Sequence, residues 1–126
     1  MERFLLVFLG GGLGSVVRYF VNDVCYRYTK YSFFCLTILV NILGCFFMGA
    51  LLYTFLGKTN MPEYNRLFLT VGFCGGLTTF SGFTAEIFKL MQTGEIAKGL
   101  TYAFISIFFA LIAFVAGILF VQKISA

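Results

Sequence analysis

The sequence predicts an all-α membrane protein of four transmembrane helices, the third of them broken in mid-membrane. Three observations lead there. Hydrophobic residues make up 60% of the 126-residue chain and charged ones 11%, too few to give a globular domain a polar exterior. The charges cluster, leaving long uncharged runs between them. A helix needs about 20 residues to cross the hydrocarbon, so four crossings with short loops take up the whole chain.

The elements follow in order. Helix 1 is expected over 4–24, followed by a polar turn from Tyr26 to Tyr31 that carries Arg27 and Lys30. Its apolar run lacks a small-x-small cleavage site, so it reads as a retained span rather than a signal peptide. Helix 2, over 33–56, holds no charge at all. The second loop, Gly57 to Asn65, holds the only proline, Pro62. Helix 3 is expected over 66–91, the third loop over Gln92 to Gly99, and helix 4 over 100–121. The whole is one transmembrane domain, with no linker or internal repeat, so a pore has to be built between chains.

The net charge of +4 does not indicate a nucleic-acid partner, because the basic residues stand singly at the ends of apolar runs. With the N-terminus on one side, that side holds Arg3, Lys58, Arg66 and Lys123; the other holds Arg18, Arg27, Lys30, Lys89 and Lys98. An excess of Lys and Arg normally fixes which side is cytoplasmic. A split of four to five fixes little and allows an antiparallel homodimer. A single orientation stays open if the charges nearest the membrane count most. The four cysteines form no CxxC pair and the chain has no histidine, which argues against a zinc site, a disulfide framework or an enzyme.

Several residues do not belong in lipid. Helix 1 carries Gly10 and Gly14 as a GxxxG pair, with Gly11 and Ser15 beside them, a face that lets backbones approach closely. Arg18 lies a turn inside the same span. It either snorkels to the headgroups or makes an electropositive vestibule that gathers anions. Thr37 and Asn41 share a face of helix 2. The Asn41 amide must find partners, as a bridge between helices or as a neutral donor to a dehydrated anion.

Helix 3 holds the stretch from Gly72 to Phe83, with Gly75-Gly76 and Thr78-Thr79 near mid-span. Such a run predicts a break, or a kink that serves packing alone. Non-helical backbone at that depth is tolerated only where protein buries it or where it lines a polar site. In an antiparallel pair the break meets its own copy, and carbonyls from both chains would cage a bare cation such as Na⁺. Ser81 follows, and Phe80 and Phe83 stand three apart, with ring edges that carry positive charge. Tyr102 and Ser106 give helix 4 a short stripe of hydroxyls.

Together these motifs resemble the Fluc (CrcB) family of microbial fluoride channels over essentially the whole chain. The carrying residues are Gly10-Gly11-Gly12-Leu13-Gly14 with Arg18-Tyr19, then Asn41-Ile42-Leu43-Gly44, then Gly72 to Phe83. The resemblance implies a passive fluoride exporter of the bacterial inner membrane, built as a dual-topology dimer with two pores and a structural Na⁺. It assigns the fluoride path to Asn41, Phe80 and Phe83, joined by Thr37, Ser81, Tyr102 and Ser106, with Arg18 in a vestibule. It assigns the Na⁺ to backbone carbonyls of Gly75 and Thr78. The expected partners are fluoride, lipid and a second copy of the chain. Two departures stand out: Gly82 where the family usually has Ser or Thr, and Ala110, which cannot extend the hydroxyl stripe.

Two other readings remain on the residues alone. A small proton-coupled drug exporter needs a carboxylate deep in helix 1, where this chain has no acid before Asp23. A non-transporting assembly protein would leave the polar residues as interhelical glue.

Overall fold

The computed structural model describes residues 1–29, 33–57 and 62–125, and no strand occurs among them. Helix α1 is Glu2–Thr29 and α2 is Phe33–Leu56. The third span is in two pieces. Its first, α3, covers 63–77: an α turn Glu63–Arg66, a π-helical stretch Leu67–Cys74 and a last turn Gly75–Leu77. Its second, α4, is Phe80–Gln92, and α5 is Ile96–Ser125. Among the described residues, four segments are long and apolar enough to cross a membrane: Glu2–Tyr28, Leu36–Leu56, Glu63–Gln92 and Ile96–Ser125.

The helices run further than hydropathy alone suggests. Of the turn expected over Tyr26 to Tyr31, residues through Thr29 are helical, and 30–32 lie outside the described residues. An Asp23–Arg27 ion pair of 3.0 Å, one turn apart, favours helix there over turn. At the other connection the loop shrinks to Thr93, Gly94 and Glu95, with Gly94 in the left-handed region at φ 79°. The helix that follows starts at Ile96, and Lys98 reaches back 2.5 Å to Glu95.

Two glycine seams set the packing. Along α1, an added Cβ at Gly10 would stand 2.4 Å from the Phe68 carbonyl oxygen, and one at Gly14 would stand 2.2 Å from that of Phe73. Where α2 crosses α5, Gly49 lies against the Phe114 carbonyl and Gly117 against that of Phe46. Only hydrogen fits at these contacts, so backbones touch directly. The core between the seams is small: Leu36, Val40, Cys74, Leu77 and Phe83 are buried there. Apolar side chains such as Phe4, Phe8, Leu111 and Leu119 are exposed, an arrangement that suits lipid and not water.

Candidate functional site

The site forms where the third span leaves the helical path. Thr78 (φ −78°, ψ 152°) and Thr79 (φ −142°, ψ 123°) are extended between Leu77 and Phe80. An extended pair inside apolar surroundings strands its own peptide groups, each of which costs free energy if left unpaired. Asn41 on α2 supplies the missing partners. Its Nδ2 donates to the Thr79 carbonyl oxygen at 3.1 Å, and its Oδ1 accepts from the Thr79 N–H at 2.8 Å. The side-chain amide thus pairs with Thr79 much as a neighbouring strand would.

Capping completes the junction. The Thr79 hydroxyl oxygen accepts from the Gly82 N–H at 3.1 Å, the N-cap geometry that starts α4. Gly82 is tight against that cap, since an added Cβ would meet Thr79 Cγ2 and Oγ1 at 3.2 Å. The Thr78 N–H and hydroxyl both donate to the Cys74 carbonyl, each at 3.0 Å. From α1, Ser15 Oγ donates to the Gly76 carbonyl at 3.4 Å, and Arg18 Nη1 reaches the Thr78 carbonyl at 3.5 Å. Both are long contacts at the limit of hydrogen bonding.

A cavity of about 230 Å³ opens beside the junction, lined by Asn41, Thr79, Phe80, Phe83 and Ser106 among others. Phe83 is 5% exposed and packs on the Tyr102 ring at 5.4 Å between centroids. Phe80 lies 5.5 Å from Phe83 yet is 75% exposed, so its ring forms the outer wall. Ser106 is 6% exposed, and its hydroxyl oxygen makes no hydrogen bond of ordinary geometry among the described residues, its neighbour being the Tyr102 hydroxyl. Such a group invites a ligand, because a buried hydroxyl is otherwise paired.

Of the residues singled out in the sequence, Asn41, Phe80, Phe83 and Ser106 line this cavity, and Thr37, Ser81, Tyr102 and Arg18 do not. Thr37 and Tyr102 point at Glu86 instead. Thr37 Oγ1 donates to Glu86 Oε1, and the Tyr102 hydroxyl donates to Oε2, both at 2.5 Å. Glu86 is 2% exposed, and its two oxygens tie α2, α4 and α5 together. Burying a carboxylate is costly without donors, and these two hydroxyls offset part of that cost. From the sequence, Glu86 is the only acid well inside any span and is expected in a helix-3 vestibule beside Phe83; the structure buries it between two hydroxyl donors instead. The available signal was its position as an acid inside a span, since intramembrane acids are functional more often than not.

The family described as "CrcB-like protein, Camphor Resistance (CrcB)" matches residues 5–118. The chain is 40% identical to "Fluoride-specific ion channel FluC" of Phocaeicola vulgatus over 118 residues, 94% of this chain and 97% of that one. Its likeness to the protein of the same name from Flavobacterium psychrophilum is 37% over 125 residues, covering 98% and 100%. For the one from Thermus thermophilus it is 45% over 111 residues, 88% of each chain.

Proposed function

The chain belongs to the CrcB family, and on that premise we propose that it is a fluoride-selective channel that lets the ion leave the cell passively. The observation that carries the reading is the cavity that gathers Asn41, Phe80, Phe83 and the Ser106 hydroxyl. Fluoride is small and holds its water tightly, so a selective path must replace that water with several short, neutral contacts. The Asn41 amide retains a second N–H beyond the one given to Thr79. Ser106 offers a hydroxyl, and the ring edges of Phe80 and Phe83 carry the positive end of the aromatic quadrupole. None of these holds a full charge that would trap the ion. In a bacterial inner membrane, negative inside, the potential drives fluoride outward without an energy-coupling site.

The assembly we propose is an antiparallel homodimer with the Thr78–Thr79 interruption at mid-membrane depth. The near-even split of basic residues and the outward-facing Phe80 ring support it. The same interruption suits a Na⁺ held by carbonyls of Gly75 and Thr78. The helical donor to the Gly75 carbonyl would be the Thr79 N–H, which goes to Asn41 instead. The Thr78 carbonyl lies on extended backbone, and Arg18 must draw back from its 3.5 Å contact for a cation to take that oxygen. Bound there, the ion would neutralise converging carbonyl dipoles on the dimer axis. The exporter alternative is weaker, since the buried Glu86 lies in α4 with both oxygens engaged.

Liposomes loaded with fluoride or chloride test the reading, with dimer assembly followed separately by gel filtration. Fluoride efflux well above chloride efflux is expected. Asn41→Ala and Phe83→Ile should each lower the fluoride rate about tenfold or more, as expected for losing roughly 1–3 kcal/mol at a desolvated contact. Equal passage of both anions, or parent rates in both variants, refutes the assignment.

A further inference from the structure

We propose that Cys45 is a binding site for thiophilic cations inside the anion path, so that Hg²⁺ or Ag⁺ closes the channel. The inference rests on the channel reading above. Cys45 follows Asn41 by four residues on α2, which puts both on one face of the helix. Both line the 230 Å³ cavity, together with Thr79, Phe83 and Ser106. The Cys45 thiol is free and partly exposed. Cys74, by contrast, is 0% exposed, and neither it nor Cys25 lines the cavity.

A second observation points to a ligand at the same place. The Ser106 hydroxyl lines this cavity, is 6% exposed and makes no hydrogen bond of ordinary geometry among the described residues, so its lone pairs can make a weak second contact to a cation on the sulfur. The Asn41 carbonyl oxygen is already engaged by the Thr79 N–H. The thiol is therefore the dominant ligand and the hydroxyl its neighbour. Soft cations prefer sulfur, whereas hard ions such as Na⁺ and fluoride do not compete for it.

The step needs no oxidant. The Cys45 S–H bond breaks, a sulfur–mercury bond forms, and the proton leaves to water, so one proton is released for each Hg²⁺ bound. The cation and its remaining ligands then occupy the space between Phe80, Phe83 and Ile107. An anion crossing that space would have to displace them.

The experiment measures fluoride efflux from proteoliposomes before and after micromolar Hg²⁺. The mercurated cysteine is identified in the same samples by peptide mass. The parent chain should lose at least about tenfold of its efflux, regain it with a dithiol, and carry the metal on Cys45. A chain that keeps Cys45 alone among its four cysteines should show the same loss. In Cys45→Ala, with the other cysteines present, the ratio of treated to untreated efflux should stay near unity, and the ratio cancels any change in basal rate. Metal on Cys45 with unchanged efflux, or equal block in Cys45→Ala, overturns the inference and leaves the channel reading standing. Protein that passes no fluoride before metal is added overturns the channel reading, and this inference with it.

Discussion

Helix α2 meets its neighbours in two different ways along its length. Before Gly44 it meets α4 through polar side chains, with Thr37 on Glu86 and Asn41 on Thr79. Beyond Gly44 it meets α5 through glycines, with Gly49 under the Phe114 carbonyl and Phe46 over Gly117. The glycine crossing gains close backbone contact and loses all tolerance for bulk. The polar junction gains direction, because each donor has one acceptor, and it tolerates bulk better. Lipid tails are as apolar as leucine, so neither region is held by the hydrophobic effect that would hold a water-soluble core. Packing without side chains fixes the frame, and hydrogen bonding places the groups that work.

The largest effect should come from breaking the first kind of contact. An added Cβ at Gly49 would stand 2.0 Å from the Phe114 carbonyl oxygen, and at Gly117 2.1 Å from that of Phe46. Gly49→Val and Gly117→Val should each destabilise the fold by about 3 kcal/mol or more, the upper range for overpacking. Thermal unfolding in detergent measures this, and a melting point at the parent value would mean that the crossing can spread at little cost.

A smaller effect should come from the polar junction, and it should fall on function more than on folding. Glu86→Gln keeps the shape but offers one oxygen and one NH₂ group where the carboxylate offered two oxygens to the Thr37 and Tyr102 hydroxyls. One hydroxyl must then turn around, at a net cost of about 1 kcal/mol. Unfolding should shift slightly while the fluoride-to-chloride efflux ratio changes clearly. A variant whose ratio matches the parent would show that the cluster is only a brace.

The smallest effect belongs to Gly82, where the two kinds of contact meet. A Cβ there would lie 3.2 Å from Thr79 Cγ2 and Oγ1, close enough for the threonine to give by a few tenths of an ångström. Gly82→Ala also gains about 1 kcal/mol of helix propensity. The two terms nearly cancel, so stability should stay within about 0.5 kcal/mol of the parent. A large loss in the melting point would show that the Thr79 cap cannot yield.

The division between these regions also explains what the sequence disclosed. Four apolar runs and the glycine stripe of α1 are properties of neighbouring residues, so they were legible, as was the unusual character of the stretch from Gly72 to Phe83. Pairings across the chain were not. Nothing near Asn41 announces that its amide pairs with Thr79, 38 positions away, or that Thr37 finds Glu86 at a separation of 49. The hydroxyls of Thr37 and Tyr102 looked equivalent to that of Ser106, and only their positions in space separate two that face a carboxylate from one that faces a cavity. Helix ends were misjudged where ion pairs, invisible to hydropathy, prolong the helix, as at Asp23 and Arg27.

The π-helical stretch Leu67–Cys74 sets the register between the third span and α1. On α1 the two tight contacts are four residues apart, Gly10 and Gly14, but the carbonyls they face, Phe68 and Phe73, are five apart. A hydrogen-bonding step of i to i+5 takes up that extra residue, so the two helices stay in phase past the mismatch. The wide turn works as a vernier between two scales of unequal division.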